Sequence, residues 1–443
     1  MGSFPKKSFE LYPSEGLGFL TLGHSLFQTY ALLKKHGLHN DIRFIYSNSS
    51  KTTVLQLTRV SINLIFESAY QKLILIEVNE VGKVGVEFTF KNEPIGSLSF
   101  KHIYNRLFGP TYPGVENPAS NSYCLSYPGI AFRFSLDQLS ENQNKDDLNR
   151  VLNSSKKDVN CSSFTIFKGD NWTDAVTNIN KILDTKNLQE RYSLLPSLYP
   201  KASENVKRQI LYARINNLSA PNLEIYYKSQ QKASFHLELG TTSMRNVLGY
   251  LGSPDDTFLK NGDSRISSKS EKFNVYKVHN YYRYGIDCFY KMDESSVIGS
   301  AVLSKVTLHT NIENSLDFLK YEKINVEVNK ISYNHQYTWN TTEAFDRMYE
   351  FLSPQSKDKS VFLNRKDYEL NSFSTTNNEF EMIGYDDNVE SSTSAENESS
   401  CSTNPEETDD YKNWGLTKLV GDKHYVFEVL LDGNKVSSVT VVQ

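Results

Sequence analysis

The sequence predicts an α+β protein built from four repeated units, each one capped helix plus antiparallel strands, with a helical bridge between halves. Three observations predict it. A capped amphipathic segment ending in a Gly or Pro stop occurs four times along the 443 residues. An aromatic-rich strand pattern follows each segment, and a Val/Leu/Ile-rich strand pattern closes each unit.

The first unit spans 18–94, after an extended lead-in up to Leu17. Its helix is HSLFQTYALLKKHG, with Leu26, Tyr30 and Leu33 on one stripe and Gly37 as stop. RVSINLIFES and QKLILIEV follow as strands; Val60, Ile62, Leu64 and Phe66 alternate with polar neighbours, the mark of a strand with one face in the core. KVGVEFTF is a further strand. The second unit, 95–170, opens on SFKHIYNRLFGPTYPG, where Ser99 caps, Phe100, Ile103, Tyr104 and Leu107 form the stripe and Gly109-Pro110 stop it. Its strands SYPGIAFRFSL and SSFTIFKG flank a polar insertion, 137–160, read as a mobile loop. The helical bridge, 171–220, rests on two stripes: Trp172, Val176, Ile179 and Ile182, then Val206, Ile210, Leu211 and Ile215.

The third unit, 221–320, has the clearest helix, LGTTSMRNVLGYLGSP. Thr241 or Thr242 caps it, Met244, Val247, Leu248 and Leu251 make the stripe, and Gly252 and Pro254 end it. YYRYGIDCFYKMD and SKVTLHTN are its strands. The fourth unit, 321–443, starts with VNKISYNHQYT as a strand and WNTTEAFDRMYEFLSP as its helix, where Asn340 with Glu343 resembles a capping box. Phe345, Met348, Tyr349 and Leu352 form its stripe. Its strands, KHYVFEVLLD and NKVSSVTVVQ, come after an acidic insertion at about 370–412 that is expected to be disordered.

Net charge is -4, yet Asn377–Tyr411 holds eleven acidic residues and no Lys or Arg. The remainder therefore carries about +7, mildly basic, compatible with an anionic membrane surface or an acidic partner and too weak to argue for nucleic acid. The four cysteines, Cys124, Cys161, Cys288 and Cys401, are scattered without a CxxC pattern, which suits reduced thiols in a cytoplasmic protein. The N-terminus lacks a signal-peptide core, and no apolar run is long enough to span a bilayer.

No catalytic, cofactor-binding or metal-ligating residue is assigned. GxSxG, HExxH and Walker patterns are absent, and GLGFLTLG lacks the strand context of a dinucleotide turn. His309 and His102 read as structural histidines, and His36 and His39 lie where they can meet the last carbonyls of a helix. Asp255-Asp256 follow a helix stop and are expected to face water. Basic candidates for an anionic headgroup are Lys34-Lys35, Lys156-Lys157 and the loop Lys260 to Lys272. Ser391, Ser392, Thr393 and Ser394 precede acidic residues and fit acidophilic kinase sites.

Several of these stretches resemble one family. FGPTYPGVENPA, Phe108 to Ala119, is similar to that family's FGxTxPGVxxSA; Met244 through LGSPDDTFLK is similar to VLxxLGSPxxxFxK. YYRYGIDCFYKMD and KVTLHTNI resemble YFxYGxDxLFD and KxxLHTN, and FLTLGHSLFQTYALLKKH resembles FxLGxxLxQAxxIL. The chain thus looks like a member of the phagophore assembly factor family, long catalogued as Lin-10-like, and the polar insertions suggest a distant, fungal member. The resemblance implies a non-enzymatic scaffold in autophagy, recruited from the cytoplasm to the preautophagosomal structure with a WD-repeat β-propeller protein that binds phosphoinositides. The alternative it leaves open is a Golgi or endosomal trafficking adaptor that touches anionic lipid directly. It carries over no catalytic residues and no cofactor.

Overall fold

A computed structural model describes residues 6–45, 51–117, 120–136, 158–200, 210–227, 235–261, 275–292, 301–332, 335–353, 356, 360–364, 382–383 and 416–443. The architecture is α+β and dominated by sheet, in two compact units, Met1–Lys207 and Arg208–Gln443.

The first unit contains strands β1 (Lys7–Tyr12), β2 (Gly16–Leu17), β3 (Leu20–Thr21), β4 (Ile42–Ile45), β5 (Thr52–Leu57), β6 (Ile62–Glu67) and β7 (Lys72–Val78). These are followed by β8 (Val86–Phe90), β9 (Glu93–Pro94), β10 (Val115–Asn117), β11 (Ser122–Tyr127), β12 (Ile130–Ser135) and β13 (Cys161–Ile166). A small sheet has the order β3-β2-β1-β8-β9, its centre a parallel β1–β8 pair. A large antiparallel sheet, β10-β11-β12-β13-β7-β6-β5-β4, is two four-strand meanders joined through their last strands. So the lead-in before Leu17 is strand: alternate residues Phe9 and Leu11 are buried, and β8 supplies the hydrogen-bond partner no local pattern could announce.

The second unit repeats that order of events. Its strands are β14 (Ile210–Ile215), β15 (Asn222–Tyr227), β16 (Phe235–Glu238), β17 (Asp256–Asn261), β18 (Val275–Tyr281), β19 (Ile286–Met292) and β20 (Leu303–His309). Then come β21 (Asn325–Ser332), β22 (His335–Asn340), β23 (Ser360–Asn364), β24 (Met382–Ile383), β25 (Leu416–Asp422), β26 (Tyr425–Leu430) and β27 (Val436–Val442). The small sheet is β16-β15-β14-β21-β22, again around a parallel pair, β14–β21. The large sheet is β17-β18-β19-β20-β27-β26-β25-β23-β24. VNKISYNHQYT, expected as one strand, is the hairpin β21–β22.

Helix α1 (Leu26–Lys35) has the full capping box: the Ser25 hydroxyl accepts from Gln28 N–H and the Gln28 side chain accepts from Ser25 N–H. Leu26 and Leu33 are buried with Thr29, while Tyr30 is half-buried. Helix α2 (Phe100–His102) is capped by Ser99 and runs straight into a π-helical turn, Ile103–Leu107, so Phe100 and Ile103 are buried but Tyr104 and Leu107 only partly.

The bridge divides differently from its expected span. Helices α3 (Trp172–Asp184) and α4 (Leu188–Leu194), with a 3-10 turn at Leu195–Leu198, pack within the first unit. Ala175 meets Ala131 and Phe167, and Arg191 forms an ion pair with the fully buried Glu67. Within the expected second helix, Ile210–Ile215 are instead β14, and Val206 lies outside the described residues. Ala213 and Ile215 enter the core, Tyr212 and Arg214 take the other face, and β15 and β21 supply ladders on both sides; tertiary pairing overrides a local stripe.

Helix α5 (Met244–Leu251) is capped by Ser243, one residue later than expected, because the Thr242 hydroxyl accepts from Glu238 N–H instead. Met244, Val247 and Leu251 are buried, each side chain contributing about 1.5–3 kcal/mol; Leu248 lies at the rim, 37% exposed. In the fourth segment the helix is a 3-10 turn, Phe345–Glu350, following Ala344, which has no capping acceptor. The Asn340 side chain is already used one turn earlier, accepting from Thr342 N–H and donating to Glu343.

One backbone contact occurs in all four places. The N–H of Leu26, Phe100, Met244 and Phe345 donates to the carbonyl of Gln71, Val159, Ala301 and Asn434, each just before a meander's last strand. The polar insertion is described only from Asp158, and the acidic insertion lies outside the described residues except Met382–Ile383, which pair with β23.

Candidate functional site

A dense constellation of buried polar groups lies on the outer face of the second unit's large sheet. Adjacent strands put Asn280 and Asp287 directly opposite each other, and β20 brings His309 alongside. Asp287 is the hub. Its carboxylate accepts from Asn280 Nδ2 at 2.7 Å, from the Tyr321 hydroxyl at 2.8 Å and from His309 Nε2 at 2.9 Å. The proton of that last contact sits on Nε2, because a carboxylate only accepts. The Tyr321 ring stacks on the imidazole, centroids 3.7 Å apart, and Asp317 faces Nδ1 at 3.7 Å. Burial, reinforced by Asp287, raises the Tyr321 hydroxyl above the usual tyrosine range, so it stays a donor at neutral pH.

Neighbouring residues fasten the segment that carries Asp317 and Tyr321. Thr310 donates its hydroxyl to the carbonyls of Val436 and Ser437, and Asn311 Oδ1 accepts from Leu319 N–H at 2.7 Å. Glu322 N–H donates to the Tyr282 carbonyl at 2.7 Å, and Ile324 N–H to that of His309. Gly285 is required where this segment crosses: its φ is +70°, and a Cβ would stand 2.3 Å from the Glu322 oxygen. Beside the network is a small polar cleft lined by Ser315, Leu316, Asp317, Thr417, Glu428, Ser437 and Ser438. Glu428 is itself held there by Thr417 and Ser438.

This arrangement holds a segment rather than activating an atom. A His–carboxylate pair prepares a nucleophile only when the other ring nitrogen meets a hydroxyl or thiol; here it faces Asp317. Among the described residues no group of three or more His, Cys, Asp or Glu is arranged to hold a metal ion. Cys161 and Cys288 are buried, which pushes the Cys161 thiol up to about 12 and Cys288 higher.

The other sequence candidates lie apart. His102 Nδ1 meets the Ser97 carbonyl, and the His36 ring stacks on Phe19. Lys34 sits over the Tyr30 ring. Asp255 and Asp256 are both exposed, as expected; at the surface Asp255 also pairs with Arg283, and Asp256 accepts from Thr257 N–H and Tyr282 OH. Lys156-Lys157 and Ser391 to Ser394 lie outside the described residues, as does the basic loop beyond Asn261. Sequence reasoning noticed His309 but missed Asp287, Asn280 and Tyr321; the signal available for Asp287 was its position inside YGID, and Asn280 and Tyr321 lie outside both the YGID and LHTN stretches.

A model of the phagosome assembly factor 1 family (PHAF1) matches residues 16–442. The chain belongs to this family. Among its relatives, a PHAF1 protein of Arabidopsis thaliana is 23% identical over 332 residues, 72% of this chain and 74% of the relative. A PHAF1 protein of Drosophila melanogaster is 22% identical over 338 residues, 71% of this chain and 72% of the relative. No solved structure matches. Two of the stretches that resemble the family build this polar clamp: YGID supplies Gly285 and Asp287, and LHTN supplies His309, Thr310 and Asn311. Among the described residues no helix of this PHAF1 chain is long and apolar enough to cross a membrane.

Proposed function

We propose that this PHAF1 chain is a non-enzymatic scaffold in autophagy, gathered at the preautophagosomal structure in complex with a WD-repeat β-propeller protein that recognises phosphoinositides. The observation that carries this reading is membership of a family described as phagosome assembly factors, over almost the entire chain. The polar network agrees with it, since its hydrogen-bonding capacity is spent on fastening one surface segment to a sheet. We also read the four helical segments as four copies of one module. The support is the shared N–H contact to a carbonyl one or two residues before a meander's last strand, and the parallel pair at the heart of each small sheet.

Isolation of the tagged chain from fed and starved cells tests the assembly role. A phosphoinositide-binding propeller protein should co-purify, and both should gather at the same puncta on starvation. Recovery of the chain alone, or unchanged autophagosome number in cells lacking it, would overturn the proposal.

A further inference from the structure

The second unit's large sheet ends on an unusual edge. Sheet edges expose unpaired N–H and C=O groups, and proteins blunt them by keeping them short, bulged or charged. Most edges here follow that rule: β3, β9 and β24 have two residues each, β10 three, and β4 and β16 four. Two do not: β22 and β17 have six residues each. β17 lies in unbroken register with β18, and among the described residues no strand pairs with its other side. Successive residues of a strand point to opposite faces, so Phe258 and Leu259, 44% and 68% exposed, offer one apolar side chain on each face of this edge. Its start carries Asp256, and its apolar middle is flanked by lysines: Lys260 lies on β17 itself, Lys277 is paired with Leu259, and Lys291 follows one strand further in.

We propose that β17 is a docking edge for an extended peptide of a partner protein, which adds as a further antiparallel or parallel strand and carries alternating apolar residues with acidic residues among them. Backbone hydrogen bonds would supply affinity, Phe258 and Leu259 would contact apolar side chains on the two faces, and the lysines would select carboxylates. A lipid surface is the poorer occupant, because open backbone N–H and C=O groups are costly to bury in hydrocarbon while a peptide strand satisfies them.

The test is selection of displayed random peptides, about twelve residues long, against the purified full chain. The enriched set should alternate apolar residues and be rich in Asp and Glu. Leu259→Glu, at an exposed position that leaves the core untouched, should weaken the selected peptides by about tenfold or more. Lys260→Glu should shift selection from acidic towards lysine-bearing peptides, which mere loss of structure would not do. The proposal is overturned if no such peptides are enriched, or if they bind Leu259→Glu equally well. It also fails if Leu259→Glu instead abolishes binding to phosphatidylserine/phosphatidylcholine vesicles, or converts a self-associating chain into a monomer.

Discussion

Arg283 holds Asp255 across the turn that follows helix α5. The guanidinium pairs with the carboxylate, Arg283 N–H donates to Asp255 Oδ2 at 3.1 Å, and Nη2 donates to the carbonyls of Leu251 and Ser253 at 3.2 and 2.6 Å. The same side chain lies over the rings of Tyr281 and Tyr284. Two stretches that the sequence shows apart, LGSPDD and YYRYG, are therefore one structural unit, with orphan carbonyls at a helix end satisfied by a side chain from the turn between β18 and β19.

Arg283→Ala is expected to loosen this turn. Hydrogen bonds to charged groups contribute about 1.5–3 kcal/mol, and the partial exposure of both groups lowers this to about 1–2 kcal/mol. Hydrogen exchange across Leu251–Asp255 should quicken, with exchange in the first unit unchanged. Arg283→Lys should not restore protection, because an ammonium cannot span three acceptors in a fixed fork.

Gly252 has φ +78° and ψ -160°, a region that residues with a Cβ avoid. There is room for a methyl group, since the nearest atom, Arg283 Nη2, lies 3.9 Å away. Gly252→Ala is expected to cost about 1–3 kcal/mol through backbone strain alone. Chemical denaturation should show the loss, and the far-ultraviolet circular dichroism of the folded protein should be unchanged.

His279 provides a pH signature. Burial, helped by Lys277, lowers its pKa to about 4 from an ordinary 6.5, so the folded state prefers the neutral ring. Between those values the unfolded chain binds more protons. Stability is therefore full above about pH 6.5 and falls as pH drops towards about 4, by about 3 kcal/mol at most. Replacing the ring by an apolar one, His279→Phe, should flatten that part of the profile when denaturation midpoints are compared from pH 7 to 4.

In the first unit the Glu67 carboxylate is fully buried, accepts from Ala69 and Tyr70 N–H at 2.7 and 2.8 Å, and pairs with Arg191 of α4. Arg191→Ala leaves that carboxylate without its cation, a change that costs about 3–5 kcal/mol in comparable buried pairs. Hydrogen exchange should rise across Ile62–Val78. Arg191→Ala combined with Glu67→Gln should recover part of the loss, since the stranded charge is gone.

Apolar stripes and alternation were legible because they are local, so α1, α5 and the strands β6, β7 and β20 could be read directly. Of the caps, Ser99 was read, while α5 is capped by Ser243 and not by Thr241 or Thr242. The Ile210–Ile215 segment could not be read directly. Its apolar spacing fits a helix, and only β15 and β21, arriving from elsewhere in the chain, make it a strand. The clamp was hidden for a similar reason. His309 is one histidine in a strand until Asp287 lies 2.9 Å away and Tyr321, twelve residues downstream, folds over it.

By itself the sequence determined the mixed class, the apolar stripes of α1 and α5, the acidic stretch and the family. These depend on composition and on residues within a turn of one another. Only the tertiary structure decided that β1 and β14 each lie parallel to a distant strand, that Arg283 belongs to the α5 turn, and that Asp287 gathers Asn280, His309 and Tyr321. Each of those depends on which hydrogen-bonding groups meet after collapse, and a linear order of residues does not state who meets whom.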